Sequence, residues 1–453
     1  MPSNTRRIVM TGIGTAIVAA AVGASLVMPA AVTVTTPNSA FQIQPSAVQR
    51  NLVCAGGVYD FVGEQADLTL LTNSEPVIGN GKLVAQLTGE QGDSGSVIAL
   101  TEAPQLVAAT EMTTRNSDDI RGVLAAECGD PLNDAWLVGG DTSLGRETVL
   151  VITNGSDVDA TIDVEIWGTD GAIEAPGSKG LVVPALSQRV LSVAGFAPGE
   201  LSPVVHVTSN GAPVWSVLQT SVVRGLIAGG LDRVTASNTA ATSAYFPVIR
   251  VASEDVIGPL RSDPDFADME TVLRAMIPGD TGATLSMRLT HLGIGEVIDT
   301  TVEAVPGRVI EITVDEIPAG NYSVSVMSEV PFVAGMRVAS YDAKSKHADH
   351  AWASAAQPFT GAVAVVAPTA GQLVVYNPTG DTVSVTVQGP AGDITTEIAP
   401  SASATVDTAV GVWVVTSTGQ VTVAHLITAP KGIAITRGIP APGSVSSLTV
   451  FTG

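Results

Sequence analysis

Five histidines, two cysteines and one run of crowded acids are the side chains in this 453-residue chain whose types and spacing invite chemistry. Gly92-Asp-Ser94-Gly-Ser96 has the pattern of a serine nucleophile box, which needs a histidine to take the serine proton. In the fold that uses this box the histidine precedes the serine, whereas His206, His291, His347, His350 and His425 all follow it. The segment therefore reads as a polar turn between Leu87 and Val97. His347-Ala-Asp349-His350 offers a zinc-compatible spacing, but no third ligand or helical period accompanies it and Lys344 and Lys346 adjoin it. It reads as a solvated loop before a strand. Asp263, Asp265, Asp268 and Glu270 crowd oxygen ligands together as Ca²⁺ requires, yet Asp268 and Arg274 stand where an EF-hand loop has Gly and Glu. A hydrated acidic linker is the expectation, and this is the first place to look for Ca²⁺.

No glycosidase-like carboxylate pair, phosphate-cradling glycine loop or Ser-x-x-Lys box is evident in the sequence, and no catalytic residue, metal site or cofactor is expected. Trp136, Trp167, Trp215, Trp352 and Trp413 are spread singly beside strand-like runs. That suits one large aromatic per sandwich core, with Trp167 the most exposed.

Cys54 and Cys128 are the only cysteines. A disulfide in an oxidising compartment is the simplest reading, two buried thiols the alternative. Arg6 and Arg7 precede an uncharged run from Ile8 to Val34, long enough to cross a ~30 Å hydrocarbon layer as a helix. The positive-inside rule puts the arginines in the cytoplasm and the bulk of the chain outside, anchored to the membrane or released if the segment is cleaved. Residues 36–50 read as a flexible spacer. The net charge is −22 and no acid precedes Asp60, so the outer part is acidic. A nucleic-acid partner is excluded, because such binding rests on cations displacing counterions.

Charged residues are 14% of the chain against 45% apolar, with 46 glycines and 27 prolines, a composition of strands and turns. One pattern recurs four times: an apolar alternating run, a short polar break, then a second apolar run. The copies centre on Thr101, Ser209, Ser328 and Ser417. Each reads as a β-hairpin of one sandwich. Asn154-Gly-Ser-Asp157 and Asn377-Pro-Thr-Gly380 read as equivalent turns. Asp134-Ala-Trp136 and Asp349-His-Ala-Trp352 further suggest two halves of two sandwiches each. The expectation is all-β: tandem immunoglobulin-like sandwiches after one N-terminal transmembrane helix. Their ranges are 51–135 (with the disulfide), 136–235, 269–348 and 349–453, with 236–268 as linker and 1–35 as cytoplasmic stub and anchor. Short helical turns are expected around the linker, for example at Asp268 to Arg274.

Leu52-Val-Cys54, Cys128-Gly-Asp-Pro131, Trp136-Leu-Val-Gly139-Gly140-x-Thr142 and Gly145-Arg146, leading into a strand that ends at Asn154, together resemble DUF5719, a family of uncharacterised actinobacterial exported proteins. Cys54-Ala-Gly-Gly stands where that pattern has Cys-Pro-Gly. The resemblance implies a membrane-tethered or secreted envelope protein and supplies no catalytic residues. The functional expectation is a non-enzymatic surface protein presenting β-sandwich modules to another envelope protein or a cell-wall glycan. The alternatives are a carbohydrate-binding module protein and a cell-wall hydrolase.

Overall fold

The structure, a computed structural model, describes residues 40–43, 50–62, 67–100, 106–237, 239–266, 268–314, 317–441 and 448–451. The expected transmembrane segment lies outside them; no helix among the described residues is long and apolar enough to cross a membrane. Two units are present. In the smaller, Ala40–Ile43, inside the stretch read as spacer, pairs antiparallel with Leu448–Phe451. The larger spans 49–442.

Strands in the larger unit carry the alternation that makes a two-faced sheet. Ala160–Gly168, for instance, buries every second residue. One topology appears three times. In the second module the outer sheet runs Gly171–Ile173, Ala160–Gly168, Val204–Gly211, Asp134–Val138, and the inner sheet Ser187–Ser192, Arg146–Asn154, Trp215–Arg224, Ile227–Thr235. In the third the outer order is Val297–Ala304, Ala283–His291, the first half of Gly320–Asp342, then Ala241–Val251; the inner order is Val309–Thr313, Val272–Met276, the second half of Gly320–Asp342, then His347–Ser354. The fourth repeats it with Gly392–Ile398, Val383–Gly389, Gly411–Ala429 and Phe359–Ala367 outside, and Ser403–Thr408, Gly371–Tyr376, Gly411–Ala429 and Gly432–Arg437 inside.

In the second, third and fourth copies the recurring motif is therefore not a hairpin; the break of the first, around Thr101, lies outside the described residues. The motif is one run of chain that leaves the outer sheet and continues in the inner sheet of the same module, as sandwich corners do. Ser325 pairs with Tyr245 and Arg288 in the outer sheet, whereas Arg337 pairs with Val272 and Trp352 in the inner one. Pro331, which has no N–H for a ladder, falls at the crossing. In the second module Gly211-Ala-Pro213 splits the strand outright into Val204–Gly211 and Trp215–Arg224. Alternation on both sides of a polar break is common to a hairpin and to a sheet switch, so the sequence pattern could not distinguish them.

The first module is a shortened copy. Its sheets run Asn51–Cys54, Ser96–Leu100, Gly81–Gln86 and Arg121–Glu127, Ala108–Asn116, Pro76–Gly79. Only residues 87–95 separate Gly81–Gln86 from Ser96–Leu100, too few for the two edge strands found there in the other modules; Thr88–Gly89 instead pairs with Ser187–Ser192 of the second module. Cys54 and Cys128 form a disulfide with Cα atoms 4.5 Å apart. It joins the module's first strand to the residue after its last, beside the Val53–Gly129 bridge.

The sheets are sandwich-like, but the modules are not strung as tandem immunoglobulin-like units. The last strands Arg121–Glu127, Ile227–Thr235, His347–Ser354 and Gly432–Arg437 pack against one another in a ring, a propeller-like arrangement. They are buried almost throughout and rich in glycine and alanine, which lets four backbones approach one axis. The repeating unit is thus a quarter of the ring rather than a half. Asp134 opens a first strand and Asp349 lies in a last one, so their shared Trp is not an internal equivalence. Two boundaries move as well. The stretch read as a linker contains Ala241–Val251, an outer strand of the third module, and His347–Ser354 closes that module rather than opening the next. The helical turns fall at Glu254–Ile257, Leu260–Ser262 and Pro264–Phe266, while Val272–Met276, overlapping the expected turn, is a strand.

Replacing both cysteines with serine should lower stability by about 2–4 kcal/mol in urea unfolding, since the bond restrains a 74-residue interval of the unfolded chain. An unchanged midpoint would mean that the bridge adds nothing to the first module.

Candidate functional site

The axis of the ring holds the densest set of ionisable groups. Gly122, Gly230, Asp349 and Gly432 occupy equivalent positions in the four last strands. The Asp349 carboxyl group fills the space that Gly122 and Gly432 leave, while Gly230 makes room for the His350 ring. Its Oδ1 accepts the Leu231 N–H at 3.0 Å, and its Oδ2 accepts those of Val123 at 3.2 Å and Ile433 at 3.1 Å. One side chain thereby satisfies an amide from each of the other three modules. A Cβ on Gly432 would lie 1.8 Å from Oδ2, and one on Gly122 2.7 Å from Oδ1.

Five residues further along each strand stand Glu127, Thr235, Ser354 and Arg437, a second polar layer. Glu127 Oε1 accepts from Arg437 Nε at 2.9 Å and from the Thr235 hydroxyl at 2.5 Å, while the Ser354 hydroxyl donates to the Thr235 carbonyl at 2.8 Å. Arg437 also donates to the carbonyls of Ala236 and Ala355, so it touches all three other modules. Between the layers Asp232 accepts the Trp352 N–H.

Buried arginines weld the flanks. Arg233 of the second module pairs with Glu111 of the first at 2.8 Å and donates to the Gly57 carbonyl at 2.6 Å. Arg274 of the third donates to Gly140, Pro203 and Leu201 carbonyls of the second, pairs with Glu311, and lies 4.6 Å above the Trp352 ring. Asp268 holds Arg224 and Arg146 together.

Burial dominates the titrations. It pushes Glu111 up to about 7 despite Arg233, and Asp349 up to about 8 despite its amide donors. Burial, then the neighbouring Asp60 carboxyl, push Glu147 up to about 8. It pulls His350 down to about 3 and His425 to about 4.

His347, Asp349 and His350 thus lie in a buried strand, not a solvated loop. Seven consecutive residues of that strand are covered because the ring surrounds it. His350 Nε2 faces the Thr220 hydroxyl at 2.9 Å and His425 faces that of Thr408 at 2.8 Å. Ser94 is buried, and its hydroxyl accepts the Gly57 N–H. In the acidic run Asp268 is engaged by arginines and Glu270 lies 3.8 Å from Arg261; no group of three or more His, Cys, Asp or Glu among the described residues is placed to hold a metal. Asn154 and Asn377 do match: each side-chain amide donates to three carbonyls of its own turn and of the strand connection opposite.

Trp136, Trp215, Trp352 and Trp413 are buried, and Trp167 is half-buried. Trp136 stacks on His206 at 3.9 Å and Trp167 is tilted 35° from it. Beside Trp167 a groove of about 370 Å³ runs along Val164–Trp167, rimmed by Glu165 and Lys179, which pair at 2.6 Å. Beside His350 and Trp352 a smaller cavity of about 20 Å³, room for about one water, is lined by Arg146, Glu147, Asp268 and Arg337. Sequence reasoning missed the axial role of Asp349. The available signal was a glycine within the first four residues of three of the strands that follow a sheet-switching one, with Asp349 in its place in the remaining strand.

Asp349→Ala leaves three buried amides without an acceptor and should cost about 3–5 kcal/mol in urea unfolding; a loss below about 1 kcal/mol would show that water replaces the carboxylate. The pH dependence follows from the same groups. Glu111, Glu147 and Asp349 hold protons in the fold above the pH at which the unfolded chain releases them, so each contributes stability that is lost as pH rises toward 7–8. His350 and His425, held neutral, oppose this by losing stability as pH falls below their unfolded value. The melting temperature should therefore be highest near pH 6 and decline toward pH 8, with a shallower alkaline limb in Glu147→Gln. A rise through that interval would mean that these carboxyls are ionised in the fold.

No curated protein matches the chain. A crystal structure of a tetra-tandem repeat in the extending region of a large adhesion protein aligns over 88% of this chain and 94% of its own, at 11% identity and a TM-score of 0.11, too low to equate the folds. The profile of a family of unknown function, DUF5719, matches residues 84–411. That span reaches from the first module to the sheet-switching strand of the fourth and covers well over half of the chain, which therefore belongs to the DUF5719 family.

Proposed function

We propose that this protein is a non-enzymatic component of a cell envelope. Its N-terminal apolar segment holds it at a membrane, and the four-module body stands outside, contacting another envelope protein or a cell-wall glycan. One observation carries this reading: the ionisable side chains that might have served chemistry are committed to holding modules together. Asp349, Glu127, Arg233, Arg274 and Arg437 are buried, and each bonds to a module other than its own. Such groups offer a substrate neither a free nucleophile nor an accessible proton. The Cys54–Cys128 disulfide supports placement in an oxidising compartment.

A second reading, glycan binding, rests on Trp167 and its groove, where an aromatic face lies beside the Glu165–Lys179 pair. It shares the placement of the first and narrows the partner. The purified full chain in detergent should release no product from peptidoglycan, arabinogalactan or aryl esters beyond a buffer control; turnover would contradict the non-enzymatic reading. If the groove binds glycan, retention on insoluble arabinogalactan should fall about tenfold in Trp167→Ala, a loss of about 1.4 kcal/mol. Equal retention would leave the protein-partner reading alone.

A further inference from the structure

The four modules differ most at one edge. In the second, third and fourth modules the outer sheet ends in a strand that covers the one equivalent to Gly81–Gln86: Gly171–Ile173, Val297–Ala304 and Gly392–Ile398 respectively. In the first module that strand is missing, and among the described residues no strand pairs the outer edge of Gly81–Gln86. The inner sheet of the same module lacks its edge strand too, but there Phe359–Ala367 of the fourth module packs against Pro76–Gly79, and the Thr110 hydroxyl donates to the Val366 carbonyl at 3.2 Å. One vacancy is filled by the chain itself. The other is open.

The open edge lacks the acids that guard its counterparts. Exposed edge strands invite pairing unless they are short, carry charges or are bent by a bulge; here the charge is a single lysine and the bulge presents apolar side chains. Val297–Ala304 carries Asp299 and Glu303, Gly392–Ile398 carries Asp393 and Glu397, and Gly171–Ile173 is only three residues long. Gly81–Gln86 has no acid, and Lys82 is its one charge. A bulge between Leu83 and Ala85 turns two consecutive apolar side chains outward, leaving Leu83 50% and Val84 47% exposed. In a chain of net charge −22 the copies repel one another over most of their surface. This strand is a place where they would not.

We propose that the Gly81–Gln86 edge pairs antiparallel with the same edge of a second copy, giving a two-fold dimer whose outer sheets run continuously from one chain into the other. The segment is self-complementary in that register. Val84 of one copy faces Val84 of the other, Leu83 faces Ala85 and Lys82 faces Gln86, and no like charges meet across the strands. The second copy supplies the strand that residues 87–95 are too short to supply.

Sedimentation velocity on the full chain in detergent should show a dimer at about 10 µM, a concentration at which a micromolar association is mostly formed. Leu83→Asp should convert it to monomer, while Ile394→Asp, on an edge already guarded by acids, should leave the dimer intact. Should Leu83→Asp perturb folding, a Val84→Cys variant gives an independent measure: a disulfide-linked dimer on a non-reducing gel. A monomeric wild-type chain, a dimer that survives Leu83→Asp with its fold intact, a dimer lost equally in Ile394→Asp, or a Val84→Cys chain that stays uncrosslinked would each overturn the proposal. So would a monomer that instead recruits a different protein to this strand.

Discussion

A single carboxyl group organises the centre of this molecule. Four strands from four modules meet at an axis, and three of them each bring a backbone amide to a side chain of the fourth. Asp349 accepts these amides, from Val123, Leu231 and Ile433. A buried amide without a partner costs about 1–3 kcal/mol, so the side chain offsets several such penalties at once. The glycines at the equivalent positions are the other half of the arrangement. A side chain at Gly122 or Gly432 would collide with the carboxyl group, and one at Gly230 with the His350 ring, so the axis admits one acid among the four positions.

The same logic extends outward. Lys and Arg together number only 21, yet Arg50, Arg224, Arg233, Arg274 and Arg437 are all buried. Each guanidinium has several rigid donors and meets backbone carbonyls as well as a carboxylate, which suits the irregular seam between two sandwiches. Arg437 joins its module to Glu127, Ala236 and Ala355 in the other three. Replacing it with lysine would keep the charge but lose the fork. Low overall charge and buried charge at the seams have one physical meaning: the modules are parts of one body, held by specific polar contacts laid over apolar cores.

Strand-rich class, the disulfide and a fourfold recurrence were legible in the sequence because each leaves a local trace: period-two alternation, two cysteines and a repeated apolar–polar–apolar run. The Asn154 and Asn377 turns were legible for the same reason. Arrangement was not. A sheet switch at Ser328-Glu-Val-Pro331 has the same alternation as a hairpin, and only its pairing with Tyr245 on one side and Val272 on the other separates the two. The buried strand His347–Ser354 was misplaced because Lys344, Lys346 and two histidines look solvated when read alone. What covers them comes from three other modules more than eighty residues away in sequence.

The most direct test is hydrogen exchange at single-amide resolution in the wild-type chain and in Asp349→Leu, which keeps the side chain's shape and removes both acceptors. The account predicts that Val123, Leu231 and Ile433, amides in three separate modules, lose protection together while the sheet ladders away from the axis keep theirs. Protection lost only within the third module, or not at all, would contradict a shared carboxylate as the junction of the four.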